Sequence, residues 1–139
     1  GGDYVITFTT QSIAVDDAYT VTPHLTYTSP TGVRNNDNPA NTTAITGFGP
    51  TLGTANGTAP NGTNFITAGG AGGRVILNPD GTFIFYPDAG DDNTDGTVTF
   101  FYTITGGDTA QVTLTFEAEE FVWFVDGAGA CTTSTGTNL

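Results

Sequence analysis

The chain has 139 residues, and its fourteen acidic side chains against two arginines give a formal net charge of −12. A surface this negative repels nucleic acid and anionic membranes, so neither is an expected partner. Hydrophobic residues make up 37% of the chain and aromatic residues 12%, which argues against disorder and supports one domain with a buried core. No apolar run reaches the length of about 20 residues that a membrane-spanning helix needs, so membrane insertion is not expected.

Alternating apolar and polar residues recur in short stretches between Gly, Pro, Asn and Asp. This period-two pattern predicts β-strands with one buried face, whereas no window has the i, i+3, i+4, i+7 spacing of an amphipathic helix. In chain order, the predicted strands are residues 4–10, 18–21, 25–28, 64–67, 74–77, 83–86, 98–104 and 112–116. Between them, residues 29–63 are rich in Asn, Pro, Gly and Thr and are predicted to run over the surface.

This spacing of strands and turns predicts the fold class. Seven or more short strands over about 100 residues are typical of a two-sheet sandwich. We therefore expect an all-β, Greek-key β-sandwich of about seven strands plus terminal strands. The sandwich is assigned to residues 12–117, with a terminal strand at 1–11 and a strand with a flexible tail at 118–139.

A Gly-Gly-Asp turn that leads into an alternating strand occurs twice, as GGDYVITFTT at 1–10 and as GGDTAQVTLTF at 106–116. One interpretation makes the first of these the last strand of a preceding copy in a tandem array. Another has Tyr4, Ile6 and Phe8 fill the sheet edge of a neighbouring subunit by strand addition. A third is that the turn is a common one and that the similarity arises by chance.

Several motifs, in their order and spacing, carry a resemblance to a known family. They are AVDDAYTV at 14–21, GVRNND at 32–37, VILNPDGTFIFYPDAG at 75–90, FFYTI at 100–104 and AQVTLTF at 110–116. Together they resemble the bacterial cadherin-like, immunoglobulin-like repeats of large surface and adhesin proteins. The resemblance covers about residues 12–117, most of the chain, although each motif alone is only a turn and a strand.

The resemblance implies an extracellular β-sandwich module that is strung with others and often holds calcium at its loops or junctions. Carried over position by position, the calcium ligands implied are Asp16 and Asp17 from the acidic pair and Asn36 and Asp37 from the Asn-Asp turn. The sequence departs from the family pattern at Val98, where an acid usually precedes the Phe-x-Tyr strand. A second departure is Arg34, which stands in a region that is customarily leucine or alanine.

A second acidic segment points to calcium through its own chemistry. Asp91, Asn93 and Asp95 with Gly96 fit the D-x-N-x-D-G start of a calcium loop, in which alternate oxygens converge. Tyr102 stands where the bidentate glutamate of a full EF-hand loop would be, so we expect at most an oxygen-rich turn of lower affinity. The alternative is a solvated hairpin loop whose charges keep the surface soluble.

The tail of the chain carries a strand that is apolar on both faces, with Phe121, Trp123 and Val125 on one of them. It resembles the first strand of the right-handed parallel β-helix segments that follow such repeats in large secreted proteins. The alternative is an edge strand that docks on another copy of the chain.

Catalytic machinery is not expected. His24 is the single histidine and Cys131 the single cysteine, and neither has a visible catalytic partner in the sequence. A carbohydrate-active enzyme would need paired acids in an aromatic cleft, and the acids here stand in turn-like contexts.

These observations lead to one expected function and one competitor. The expected protein is a non-enzymatic, extracellular structural or adhesion module of a bacterial surface protein, with structural calcium. Its expected partners are neighbouring repeats, other copies of itself, or a host or matrix surface ligand. The competitor is a subunit of a self-assembling extracellular filament, in which residues 4–10 or 121–125 pair with a neighbouring copy.

Overall fold

The structure, a computed structural model, describes residues 2–88 and 96–117. Some of the predicted site residues lie outside these ranges. They are the predicted calcium ligands Asp91, Asn93 and Asp95 and the predicted interface residues Phe121, Trp123 and Val125. The predictions on them stay predictions.

The described residues form nine β-strands and two short 3-10 turns. The strands are β1 (Asp17–Val21), β2 (Tyr27–Thr28), β3 (Ile45–Gly49), β4 (Phe65–Thr67), β5 (Gly69–Gly70), β6 (Arg74–Leu77), β7 (Phe83–Tyr86), β8 (Thr97–Ile104) and β9 (Thr109–Phe116). The 3-10 turns are Val33–Asn35 and Leu52–Thr54. No helix within the described ranges is long and apolar enough to cross a membrane.

The strands form two sheets. The first has the order β1, β9, β8, β3, with β5 also paired to β8, and the second has the order β2, β7, β6, β4. β1 runs parallel to β9, and the other strand pairs of the described chain are antiparallel. The prediction of an all-β sandwich is therefore confirmed, while the Greek-key pattern of connections stays a prediction.

Aromatic side chains from β7 and β8 form the centre of the core between the sheets. Phe83 and Phe85 point inward from β7, and Phe100 and Tyr102 point inward from β8. The rings of Phe83 and Phe100 meet edge to face with their centroids 5.4 Å apart, a favourable arrangement of two ring quadrupoles. All four side chains are fully buried, as the period-two pattern of these strands predicts.

The prediction for residues 29–63 is wrong in part, because this segment contains β3. Phe48 in β3 is 0% exposed and belongs to the core. Gly47 and Gly49 flank it, and a Cβ atom on either glycine would overlap the backbone of Asn56 or Thr54. The glycines therefore let the 51–58 loop lie directly against β3. They also remove the alternation by which the strand could have been recognised.

The N-terminal segment forms no strand with the described residues of its own chain. Residues 2–11 have no ladder among the described residues, and the first bridge of the chain joins Ile13 to Asn38. The side chains of Tyr4, Ile6 and Phe8 are 96%, 73% and 88% exposed. The interface predicted for these three residues, within an array or between copies, stays a prediction.

Candidate functional site

The two motifs that the family resemblance singled out lie together at one end of the sandwich. Asp16 and Asp17 stand at the start of β1, and Asn36 and Asp37 follow the first 3-10 turn. Two backbone hydrogen bonds of 2.9 Å join Ile13 to Asn38 and hold the two segments side by side. The Asn36 side-chain amide adds a hydrogen bond of 3.0 Å to the Asp16 carbonyl.

Asp37 is the most deeply buried acid of the site, at 3% exposure. Its Oδ1 atom accepts a hydrogen bond of 2.8 Å from the Val15 amide and another of 2.8 Å from the Tyr102 hydroxyl. Its Oδ2 atom is buried and has no hydrogen-bond partner among the described residues. A buried polar atom without a partner costs about 1–3 kcal/mol, and more when it carries charge, so this oxygen is primed for a cation or a donor.

The Tyr102 hydroxyl lies within hydrogen-bond distance of several oxygen acceptors. Besides Asp37, it lies 3.3 Å from Asp17 Oδ2, 3.0 Å from the Val33 carbonyl and 3.4 Å from the Val15 carbonyl. A hydroxyl has one proton, so it satisfies one of these oxygens at a time, and the distances favour Asp37. The hydroxyl therefore has more oxygen acceptors around it than its one proton can satisfy.

Burial, and after it the negative charge of Asp37, raise the pKa of the Asp17 carboxyl from 3.8 to about 7. The hydrogen bonds from Tyr102 and Asn36 oppose this rise but do not offset it. Burial and the charge of Asp17 also raise the pKa of Tyr102, which keeps its hydroxyl protonated and able to donate. Near neutral pH, Asp17 is thus poised between its neutral and charged forms.

Asp16 and Asn36 already have partners in the folded chain. Asp16 Oδ1 accepts a hydrogen bond of 2.8 Å from the Gln111 amide near the start of β9. Both residues line a cleft of about 180 Å³ that opens beside the start of β1, together with Asp17 and Asn35. The cleft is wide enough for a hydrated ion, and its lining oxygens are of the kind that hard cations prefer.

Carboxylates alone do not make a metal site here. No set of three or more Asp, Glu, His or Cys side chains in residues 2–88 and 96–117 converges as a metal-binding group. A cation would therefore take two carboxylates, Asp17 and Asp37, and complete its shell with carbonyl, amide and water oxygens, as calcium does. The unpartnered Oδ2 atom of Asp37 fits such an ion.

Two further residues at this end of the sandwich were not singled out as site residues from the sequence. Asp108 accepts a hydrogen bond of 2.8 Å from the Ala14 amide, so Asp108, Asp37 and Asp16 together anchor the segment that precedes β1. Its signal was the repeated Gly-Gly-Asp turn. Tyr102 was recognisable as an inward-facing tyrosine of β8, since a buried phenol needs a hydrogen-bond partner.

No protein-family model matches this chain, and no curated protein matches it in sequence.

Proposed function

We propose that this chain is a non-enzymatic structural and adhesion module of a bacterial cell surface, of the cadherin-like, immunoglobulin-like type, and that calcium stabilises it. The two-sheet fold supports a module of this type. The order of the sequence motifs between residues 12 and 117 and the lysine-free, acidic composition support an extracellular surface protein. Its partners would be neighbouring repeats, other copies of the chain, or a ligand on a host or matrix surface.

One observation carries the calcium part of the proposal. The Oδ2 atom of Asp37 is buried without a partner, and the second carboxylate, Asp17, is raised in pKa by burial and by the charge of Asp37. A buried and a half-buried carboxylate that repel one another are unfavourable when both are ionised. A divalent cation would remove this repulsion and supply the missing partner of Asp37.

In this arrangement each residue of the site has a distinct role. Asp17 and Asp37 would hold the ion, and Asp16 and Asn36 would lie beside it in the cleft that Asp17 also lines. The Tyr102 hydroxyl donates to Asp37 Oδ1, at 2.8 Å, and so leaves Oδ2 for the ion. Bound calcium would fasten the segment before β1 to the loop after the 3-10 turn Val33–Asn35 and stiffen the point where the N-terminal segment leaves the sandwich.

Thermal unfolding of the chain in EDTA and in millimolar calcium tests the proposal, with magnesium at matched ionic strength as the ion control. Calcium bound only to the folded form at about 100 times its dissociation constant adds about 2.7 kcal/mol, or about 10 °C in a domain of this size. We expect a rise of that size in calcium and a much smaller one in magnesium, because magnesium demands a tighter octahedral shell.

Two variants locate the effect. Asp17→Asn removes a proposed ligand and should abolish the calcium-dependent rise. Asp3→Asn makes the same change of charge at an exposed position outside the cleft and should leave the rise intact. A midpoint that calcium does not move would contradict the calcium proposal and leave these acids as acceptors for backbone amides and as solvated surface.

A further inference from the structure

We infer that residues 4–8 of one molecule add as a strand to the free edge of β1 in a second copy of the chain, so that the protein assembles by strand donation. This inference is independent of the calcium proposal. It names both the donor segment and the acceptor edge.

The donor segment, residues 4–8, has the alternating pattern of a strand with one apolar face, but that face is exposed in its own chain. Tyr4, Ile6 and Phe8 alternate with Val5 and Thr7, and these apolar side chains are more than 70% exposed in the chain, at 96%, 73% and 88%. β9 shows how the same pattern behaves when it is paired: Val112 and Leu114 point into the core between outward-facing threonines. An exposed segment of this kind buries its apolar face and satisfies its backbone by joining a sheet edge.

The acceptor is the outer edge of β1. The Glu117 amide donates to the Val21 carbonyl, and the parallel register pairs Asp17 with Val112, so alternate residues of β1 bond to β9. The intervening residues, Ala18 and Thr20, direct their amide and carbonyl groups away from β9. Both residues are exposed, and β9 is the one strand that pairs with β1 in the described part of the chain. The edge therefore presents a free row of donors and acceptors.

Two half-buried tyrosine side chains lie beside this edge, on the core side of β1. Tyr19 of β1 contacts Phe83 with ring centroids 5.0 Å apart and Tyr27 of β2 at 6.3 Å, and both tyrosines remain partly open to solvent. An added strand would lay its apolar side chains over these rings. Burial of apolar area in this way is the main favourable term in association.

The length of β1 and the direction in which the chain leaves it indicate that the donor strand at this edge comes from a second copy. β1 has five residues, which equals the span from Tyr4 to Phe8, whereas β2 on the same open side of the sandwich has two. Residues 13–16 are anchored to Asn38, Asp108, Asp37 and Gln111 in line with β1, so the chain leaves the sandwich along the strand direction. In its own chain, the side chains of the donor segment are exposed and do not pack on either sheet.

Charge sets a condition on this assembly. Each copy carries a formal net charge of −12, so two copies repel one another at long range. At 0.1 M salt, the repulsion between charges more than about 10 Å apart is largely screened. Association by an apolar strand should therefore strengthen as sodium chloride is added, in contrast to association held by ion pairs.

Sedimentation velocity of the wild-type chain in EDTA, over a wide range of concentration and at low and high sodium chloride, tests the inference. EDTA keeps the result separate from any effect of calcium. We expect the sedimentation coefficient to rise with protein concentration, and the rise to be larger in high salt. A monomer at every concentration and salt would overturn the inference, whether the donor segment were free in solution or folded back on its own β1.

Paired variants identify the strand. Ile6→Asp with Phe8→Asp should abolish the association, whereas Thr7→Asp with Thr9→Asp, which adds the same charge to the opposite face, should retain it. Thr20→Pro removes an outward amide that β9 does not use and should block the acceptor edge. A mixture of the Ile6→Asp, Phe8→Asp variant with the Thr20→Pro variant should stop at a one-to-one complex. Equal association of the two aspartate variants would overturn the assignment.

Discussion

Replacement of Asp17 by asparagine removes a partly buried negative charge while keeping the shape of the side chain. The pKa of Asp17 is raised from 3.8 to about 7, chiefly by burial and then by the charge of Asp37. At about 1.4 kcal/mol per pKa unit, ionising Asp17 in the folded chain costs about 4 kcal/mol, which solvent screening of a partly exposed carboxylate reduces to about 2 kcal/mol. In EDTA above neutral pH, Asp17→Asn should therefore be more stable than wild type by about 2 kcal/mol, or about 8 °C.

The pH dependence follows from the same shift. Between pH 3.8 and about 7, the folded chain holds a proton on Asp17 that the unfolded chain has released. The stability from this group is therefore complete below that window and is lost as the pH rises through about 7. Wild type in EDTA should lose stability across this range relative to Asp17→Asn, which lacks the titrating group.

Urea unfolding followed by circular dichroism, in EDTA at a series of pH values, measures both effects. The matched variant Asp3→Asn, at an exposed position, should follow wild type at every pH. A loss of stability in Asp17→Asn at every pH would refute the reasoning, because it would mean that the Asp17 carboxylate makes more favourable contacts in the folded chain than it loses by burial.

Three further substitutions test two hydrogen bonds near the site and the backbone conformation of the turn before β7. Tyr102→Phe removes the hydroxyl that donates to Asp37 and should cost about 1–3 kcal/mol in urea unfolding, with wild-type stability as the contrary result. Asp108→Ala leaves the Ala14 amide without its acceptor and should cost about 1 kcal/mol and speed hydrogen exchange at that amide; unchanged exchange would refute this role. Gly81→Ala places a Cβ atom at a φ of +92° and should lower the free energy of unfolding by about 1 kcal/mol, whereas an unaltered urea midpoint would argue against strain there.

The strands that the sequence predicted best are those with a single buried face. β8 and β9 alternate apolar and polar residues over eight residues each, and their buried positions follow that alternation almost throughout. β3 could not be predicted in this way. Its sequence, ITGFG, replaces two side chains by glycine, and its pairing with β8 shifts register between Ile45 and Gly47. The strand is defined by a neighbouring loop that lies against it, which is a tertiary property.

The sequence singled out four residues for the candidate site, and their role as cation ligands stays a proposal. Asp16, Asp17, Asn36 and Asp37 do meet at one end of the sandwich. Which of these side chains is free to bind a ligand depends on contacts between residues that are distant in sequence. One example is the hydrogen bond from the Gln111 amide to Asp16, 95 positions away. No local pattern encodes that pairing. The hydrogen bond from the Tyr102 hydroxyl of β8 to Asp37 Oδ1 likewise joins residues 65 positions apart.

Terbium luminescence is the most direct test of the claim that a cation binds at Asp17 and Asp37. Terbium takes calcium sites, and the Tyr102 phenol, 2.8 Å from Asp37, is positioned to sensitise its emission. Trp123→Phe serves as the background, because tryptophan would sensitise terbium as well. Excitation of tyrosine should give terbium emission that excess calcium displaces, that Asp17→Asn removes, and that Asp91→Asn with Asp95→Asn leaves in place. Emission that survives Asp17→Asn and disappears with the Asp91 and Asp95 changes would contradict the claim and move the ion to the 91–96 loop.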